Sequence, residues 1–261
     1  MSKMENMVSV STATTMNEHD YERREVMDYN TIITDALAYL WEKDFPLTIN
    51  EFEELLEVHF TTKHTGKMEG MASLSTACIV NPICIARSKV EGSICQKCFA
   101  ERMFHQYGES FKDCFVKNYE VMTGVEIPIE LMPLLNYLIF RIESFGDVAN
   151  ETQAKNYWNL AKQNEYVTFG WWTKNYDIVA AIFDKYGKPS NVKLVVSSPN
   201  LNERLRLEDY PYADKIFTVY TKEYLKEHPE IVINCGGNKC LSCQRCYRDG
   251  ADDDYINEIK K

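Results

Sequence analysis

The sequence predicts an α/β protein, specifically a partial or distorted (β/α) barrel with about six parallel strands and a helical N-terminal extension. Two observations favour this fold. From Gly70 onward, six short apolar segments are each bounded by Gly, Pro, Asn or Asp, which is typical of strands. Segments with helical spacing of apolar residues lie between most of them. Strands that alternate with helices indicate βα units and a parallel sheet, and a doubly wound sheet is the alternative.

The candidate elements follow in chain order. The strand candidates are Met71–Ser75, Tyr137–Glu143, Tyr166–Trp172, Val192–Ser198, Ile216–Tyr220 and Ile231–Asn234. The helix candidates among them are Phe99–Gln106, Phe111–Thr123, Thr152–Asn164, Tyr176–Tyr186 and Lys222–Glu227. Together they predict a barrel-like domain over residues 66–250, to which the candidate metal-binding residues below belong.

The two ends of the chain have different patterns. Residues 1–29 are rich in Met, Ser, Thr and charge without apolar periodicity, and they predict a flexible tail. Residues 30–65 predict a helical extension, with helices Thr31–Trp41 and Glu51–Phe60, a break at Pro46 and an N-cap at Asn50. Residues 251–261 predict an acidic tail, either a short helix or a frayed end.

Charge and hydropathy restrict the partners. The 261 residues include 29 Lys and Arg against 39 Asp and Glu, for a net charge of −10. This balance disfavours loose binding to nucleic acid or an anionic membrane, since both require Lys and Arg. The first residues show no secretory signal pattern, and no apolar run approaches the ~20 residues that span a bilayer. We therefore expect a cytoplasmic protein whose partner is a small polar ligand or a host protein.

Four of the nine cysteines form a dense run near the C-terminus. This second cysteine group comprises Cys235, Cys240, Cys243 and Cys246. In a reducing cytoplasm, clustered cysteines more often bind metal than form disulfides. Two successive CxxC steps are typical of iron–sulfur loops, whereas structural zinc sites more usually have two separate CxxC pairs. Gly236 and Gly237 leave backbone amides free to donate to cluster sulfurs. The spacing predicts a [4Fe–4S] cluster, with zinc or metal-free buried cysteines as alternatives.

A first cysteine group follows the first predicted strand. It comprises Cys78, Cys84, Cys95 and Cys98. Cys95 and Cys98 form CxxC before a predicted helix, whose N-terminus lowers thiol pKa and favours the ligating thiolate. We expect this group also to bind metal, and buried structural cysteines are the alternative. Cys114 stands alone on a predicted helix, where a small core residue is expected.

The two groups are predicted to share one edge of the sheet. The first follows the first predicted strand and the second follows the last. In a parallel sheet the carboxyl ends lie along one edge, where α/β proteins build their sites. We therefore hypothesise that the groups lie close together in space.

Polar residues also follow several predicted strands. The candidate catalytic residues are Arg141, Glu143, Asp147 and Lys174, and the candidate cofactor-binding residues are Ser197, Ser198 and Asn200. Strand alternation puts Arg141 and Glu143 on one face, so an inward ion pair is expected. Such short polar groups suit an anionic or polar ligand. The alternatives are a structural salt bridge and simple caps of the following helices.

Several segments resemble a phage and prophage family called gene product eighty-eight. The segments are STACIVNPICIAR, SICQKCFAERMFHQY, RIESFGD, FGWWTKN, VSSPNLN, KIFTVY and INCGGNKCLSCQRCY, over about Met71 to Tyr247. The resemblance implies a phage or prophage gene expressed in a bacterial cytoplasm, and it implies no established activity.

A weaker likeness is to radical-SAM enzymes, which also place a cysteine loop after the first strand of a partial barrel. It would imply S-adenosylmethionine binding. The CxxxCxxC pattern of those enzymes is absent here, because Cys84 lies eleven residues before Cys95. Only Phe145-Gly146-Asp147 echoes their Gly-Gly-acidic stretch.

Three functions are consistent with the sequence. The first is an iron–sulfur protein with radical or electron-transfer chemistry at the carboxyl ends of the strands. The second is a zinc-stabilised, non-enzymatic protein that binds or regulates a host component. The third, a nucleic-acid enzyme, is least favoured because the cysteines lack the HxE…PCxxC arrangement of zinc deaminases.

Overall fold

A computed structural model describes residues 28–43, 46–250 and 254–260 as a mixed α/β protein with a seven-stranded, mostly parallel sheet. The strands are β1 (Phe60–Thr61), β2 (Ala72–Leu74), β3 (Ile139–Ile142), β4 (Thr168–Thr173), β5 (Val192–Ser197), β6 (Lys215–Tyr220) and β7 (Tyr255–Ile259). The α-helices are α1 (Tyr29–Trp41), α2 (Ile49–Leu56), α3 (Pro82–Ser88), α4 (Phe99–Gln106), α5 (Glu109–Gly124), α6 (Glu151–Gln163), α7 (Tyr176–Tyr186), α8 (Lys222–Glu227) and α9 (Cys240–Cys243). The tail predicted over residues 1–29 lies almost wholly outside the described residues.

The strands lie in the sheet in chain order. β2 to β7 run parallel, and β1 pairs antiparallel with β2. Within the described residues, no pairing joins β1 to β7, so the sheet is open. Lys67, just before β2, nevertheless forms an ion pair with Glu258 of β7. Five strand spacings of about 4.8 Å would separate β2 from β7 by roughly 24 Å in a flat sheet. The sheet therefore curves until its two ends approach each other.

Different elements pack on the two faces of the sheet. Phe140 of β3 and Trp171 of β4 face the helices and belong to the main apolar core. Arg141 and Trp172, one residue further along each strand, point to the opposite side, which we call the inner face. The inner face is covered by the segment that carries the second cysteine group, because Tyr247, Cys240 and Cys246 pack there.

Five of the six predicted strands are confirmed to within two residues at each end. The prediction of a strand at Ile231–Asn234 is wrong, since this segment is a loop. The last strand is β7, which lies in the region predicted as an acidic tail. Ile256 is fully buried, Tyr255 and Glu258 are partly exposed, and the strand completes the free edge of β6. The surrounding acidic residues hide this five-residue pattern in the sequence.

The predicted N-terminal extension is part of the main body. Ala36 of α1 and Phe52 of α2 are buried in the same core as the sheet residues. Helix α2 begins after Thr48 and not at the predicted cap Asn50, because Thr48 and Glu51 form a reciprocal capping box. It ends at Leu56 and not at Phe60, since Phe60 belongs to β1.

The helices differ from membrane-spanning segments. None in the described part of the chain has both the length and the apolar character that a bilayer crossing requires.

Candidate metal centre

All four thiols of the second cysteine group border one small pocket of about 40 Å³. Lys67, Tyr247 and Ile256 complete much of its wall. A space of this size is far below the roughly 300 Å³ at which sites for organic ligands begin. The pocket therefore suits a compact inorganic centre and not a substrate.

The backbone brings these thiols together by three local devices. The Cys235 amide donates to the Asn257 carbonyl at 3.0 Å, which fixes this residue beside β7. Gly237 has a φ of +83°, which only glycine adopts readily, and it turns the chain back towards α9. In α9 the Cys243 amide donates to the Lys239 carbonyl at 2.9 Å, and this single turn carries two of the four thiols.

Lys67 and Arg245 line this pocket, and the charges of Lys67 and Arg141 act on its thiols. The Lys67 Nζ lies 3.6 Å from Cys235 Sγ and also forms an ion pair with Glu258. The Arg141 guanidinium lies 3.4 Å from the centroid of the Trp172 ring and attracts the Cys240 and Cys246 thiolates. Both cations favour the ionised, ligating form of the thiols.

Burial opposes that ionisation. It raises the pKa of Cys235 and Cys240, and it raises the pKa of Cys246 to about 12. The neighbouring thiols raise the pKa of Cys246 further by mutual repulsion, whereas Arg141 lowers it. Four thiols held together out of water are costly to ionise alone, and a bound metal would offset that cost.

The hypothesis that both groups lie at the carboxyl edge is not confirmed for the second group. Cys240 and Cys246 pack with Met71 and Ile139, which stand at the amino ends of β2 and β3. The reason is topological. The second group precedes the last strand, and a chain entering a parallel strand must first return from the carboxyl to the amino side of the sheet. The cysteine loop is part of that return.

The first group lies at the carboxyl end of β2. Cys78 follows that strand, Cys84 lies in α3, and Cys98 caps α4. A hydrogen bond from Cys78, aided by the Ala100 and Glu101 amides, lowers the pKa of Cys98 to about 6 and raises the pKa of Cys78. Burial raises the pKa of Cys84, and Asp147 and Cys95 raise it further.

Apolar neighbours surround much of this first group. Cys78 is 6% exposed beside Ala77 and Phe115, and Cys84 and Cys98 pack against the same cluster. Cys114 of α5 is half-buried against it, which agrees with the expected packing role. These surroundings are compatible with both readings of the first group, as ligands or as core cysteines.

In the part of the chain that the structure describes, no three or more His, Cys, Asp or Glu side chains converge closely enough to hold a metal ion. Metal binding by either cysteine group therefore requires thiols to rotate towards a common point.

Glu143 does not form the expected ion pair with Arg141. Its φ of +56° breaks the strand alternation and turns its carboxylate into the protein, where it is fully buried. There it accepts hydrogen bonds from Thr76, Gly146, Gln153 and Tyr157. Burial without a cation raises its pKa to about 7. The Arg141 Nε donates to the backbone carbonyl of Glu143 at 3.2 Å and not to its carboxylate.

Asp147 and Lys174 do lie together at the carboxyl ends of the strands. Asp147 accepts hydrogen bonds from the Thr173 hydroxyl at 2.7 Å and from the Lys174 amide at 2.9 Å. Arg87 of α3 approaches the same carboxylate at 4.0 Å. The Lys174 charge lowers the pKa of Cys84 and Cys98, so its ammonium group faces the first cysteine group.

The remaining candidate residues serve the loop after β5. The Ser198 hydroxyl donates to the Asn200 carbonyl at 3.1 Å, and the Asn200 side chain donates to Glu203 at 2.6 Å. Ser197 is a buried residue at the end of β5. These contacts agree with the alternative of local capping.

The sequence patterns did not identify residues that contact the cysteine groups from distant positions in the chain. Lys67 lies 168 residues from Cys235, and Arg87 lies on a helix that was not predicted. Tyr247 ends the cysteine run but covers Gly170 of β4. The run Asn81-Pro82 is an N-cap followed by proline, and this signal could have revealed α3.

These features define a mixed α/β protein with a mostly parallel sheet and a thiol-lined pocket on its inner face. The chain matches the family model described as Gene product 88 over residues 132–254. The resemblance to that family is thereby confirmed over a stretch that contains the second cysteine group, while the first group lies outside it. Comparison with curated proteins gave no match, and comparison with solved structures gave none either.

Proposed function

We propose that the second cysteine group ligates a metal centre, most simply a [4Fe–4S] cluster. The observation that carries this proposal is that all four cysteines of the group line one pocket of about 40 Å³. The CxxCxxC run supplies three thiolates as iron–sulfur loops do, and Cys235 supplies the fourth. Binding a metal would require the four thiols to turn towards a common point.

The charges around the pocket support a thiolate-ligated centre. Four thiolates make such a centre negative, and Lys67 and Arg141 stand where they can compensate that charge. Trp172 and Tyr247 cover the inner side and exclude water. Basic and aromatic neighbours of this kind stabilise the bound form and tune its reduction potential.

The first cysteine group is proposed as a second centre. Cys78, Cys84 and Cys98 pack in one hydrophobic cluster, and the charge of Cys95 raises the pKa of Cys84. Lys174 supplies a cation here, as Lys67 does at the other group. Asp147 and Lys174 beside it form the polar site at the carboxyl ends of the strands, while Glu143 supports it from the interior.

The proposed activity is electron transfer or radical-SAM-like chemistry in a bacterial cytoplasm, with the curved sheet as a partial barrel. We assign no substrate. S-adenosylmethionine remains a proposal that rests only on the likeness of the cysteine placement.

A second candidate function is a zinc-stabilised protein that binds a host component. One observation favours it. The cysteine loop joins the two ends of the sheet, since Lys67 bonds to Cys235 and Lys239 bonds to Glu69 at 2.9 Å. A metal bound in this loop would hold β7 close to the segment that precedes β2, and its role would be in folding alone.

Metal analysis of protein purified without oxygen tests both candidates. We expect iron and acid-labile sulfide with a visible absorption band. Cys243→Ser should lose this centre, and Cys114→Ser, outside both groups, should keep it. Cys98→Ser should lower the iron content if the first group holds a second cluster.

Stoichiometric zinc without iron would favour the folding role. Colourless, metal-free wild-type protein would contradict both functions, as would a Cys243→Ser variant with unchanged metal content.

A further inference from the structure

A larger pocket lies on the other side of β7 from the thiols. Its volume is about 450 Å³, within the usual range for small-molecule sites. It is bounded by the loop after β5, the end of β6, α8 and β7. It lies on the face of β7 that carries Tyr255 and Asn257, opposite the face of Ile256. It shares no residue with the thiol pocket, and Ser197, Ser198 and Asn200 do not line it.

Arg204 gives this pocket a cation that is free to bind an anion. Its guanidinium lies 3.5 Å from the centroid of the Tyr255 ring. Across the described residues, no carboxylate lies within ion-pair distance of Arg204. Glu230 also belongs to the wall, but its carboxylate is engaged by His228 at 3.1 Å. A planar guanidinium held flat on a ring presents its N–H groups sideways, in the geometry that phosphate and carboxylate accept.

Asn257 gives the pocket a hydrogen-bond acceptor to which no described group of the protein donates. This wall residue is 9% exposed, and its amide nitrogen donates to the Val232 carbonyl at 3.0 Å. Its amide oxygen is buried and has no hydrogen-bond partner. Buried acceptors are normally satisfied, so the atom indicates a donor that the protein alone does not supply.

Aromatic rings form much of the remaining wall. Tyr220 and Tyr224 lie nearly parallel, with an interplanar angle of 18° and centroids 6.0 Å apart. Tyr255 lies on the β7 side beneath Arg204. Tyr220 is only 1% exposed and Tyr224 also stacks on His228 with centroids 4.1 Å apart, so these rings form a packed apolar wall beside which a flat ring of a ligand can lie.

We propose that this pocket binds a small anionic ligand with a flat ring that carries N–H donors, the chemistry of a nucleoside monophosphate. Its phosphate pairs with Arg204, its ring lies against the tyrosines, and an exocyclic amine or ring N–H donates to Asn257. The proposal goes beyond the metal centre and does not depend on it.

Calorimetric titration of the full chain with adenosine monophosphate tests this site. Adenosine lacks the anion and ribose 5-phosphate lacks the ring, so we expect each to bind at least about tenfold more weakly. Arg204→Gln should weaken the nucleotide by about tenfold or more. The matched control is Arg206→Gln, since Arg206 is 74% exposed and lies outside the wall, and it should change affinity by less than about twofold.

Three results would overturn the proposal. One is the absence of nucleotide binding at millimolar concentration. Another is equal weakening by the Arg204 and Arg206 variants, which would indicate diffuse attraction and no built site. The third is equal affinity for ribose 5-phosphate, which would leave the rings without a role. Thermal melting of each variant verifies that the fold is retained.

Discussion

Glu143 shows how one backbone angle can redirect a side chain that the sequence pattern assigns elsewhere. Strand alternation predicts that it shares a face with Arg141. Its left-handed φ of +56° instead sends it into a cage of neutral donors from β2, α6 and the turn after β3. The charged groups that face it are Asp147 and the ionisable Tyr157, and neither is a cation.

This carboxyl group should make stability depend on pH. Its pKa is about 7 in the folded chain, against a usual 4.5. Between these values the folded state holds a proton that the unfolded state releases, so stability falls as pH rises from about 4.5 to 7. We expect a loss on the order of 3 kcal/mol across this window.

Denaturant unfolding at several pH values measures this loss. Glu143→Gln cannot ionise, and its curve should lack this component although the variant is less stable overall. Parallel curves for the two proteins would show that Glu143 does not titrate as described.

Arg141 belongs to the thiol pocket and not to Glu143. In the proposed cluster, its positive charge stabilises the more negative, reduced state. Arg141→Met should therefore make the reduction potential more negative, on the order of 40 mV for a charge interaction of about 1 kcal/mol. Potentiometric titration followed by visible or electron-paramagnetic spectroscopy measures the shift.

Lys117→Met is the matched control, because Lys117 pairs with Glu57 and does not line the thiol pocket. Its potential should equal that of the wild type. An equal shift in both variants would remove the specific role of Arg141.

The loop from Cys235 to Tyr247 forms the candidate site. It packs on the sheet at Gly170 of β4. A Cβ at Gly170 of β4 would lie 2.4 Å from the Tyr247 ring and 2.6 Å from the Trp172 ring. Gly170→Ala should therefore lift the loop from the inner face and cost about 1–3 kcal/mol. Faster reaction of the second-group thiols with a thiol reagent would report the displacement.

Gly187→Ala separates this effect from backbone strain. Gly187 has a φ of +79° and nothing near its missing Cβ, so alanine there costs about 1 kcal/mol without touching the loop. Thiol reactivity should stay at the wild-type rate in Gly187→Ala. The wild-type rate in Gly170→Ala would mean that the position of the loop does not depend on its close packing against Gly170.

Most elements could be predicted because their patterns are local. Helices α7 and α8 and the strands β2 to β6 have clear apolar periodicity between turn residues. Helix α9 and strand β7 could not, since one turn and five residues give too little periodicity. Ile231–Asn234 carries the apolar residues of a strand, but Val232 remains 71% exposed and no neighbouring strand pairs with it.

At the scale of the whole molecule, the curved sheet decides which residues meet. The sequence identifies the four cysteines that line the pocket, because they lie within twelve residues of one another. It does not identify Lys67, which reaches them only because β7 curves back towards the lead into β2. The predicted shared edge is not confirmed for the second group, because the prediction depended on which segment formed the last strand.

Removal of the centre should therefore loosen the contact between the two ends of the sheet. We expect chelation, or Cys243→Ser, to lower the melting temperature on the order of 10 °C, or roughly 3–4 kcal/mol for a chain of this length. Hydrogen exchange should accelerate first in β7 and around Lys67.

The main core, where Phe140 and Trp171 lie, should keep its protection from exchange. Uniform acceleration across the sheet would indicate global destabilisation and would contradict a local fastening role for the loop.

The most direct measurement is X-ray absorption at the iron edge of protein purified without oxygen, repeated on a variant with all four first-group cysteines replaced by serine. We expect both samples to show iron with a shell of sulfur ligands and a second shell of neighbouring iron atoms, because Cys235, Cys240, Cys243 and Cys246 supply the thiolates. Iron bound mainly by nitrogen or oxygen, or no metal in the variant, would contradict the assignment of the cluster to the second group.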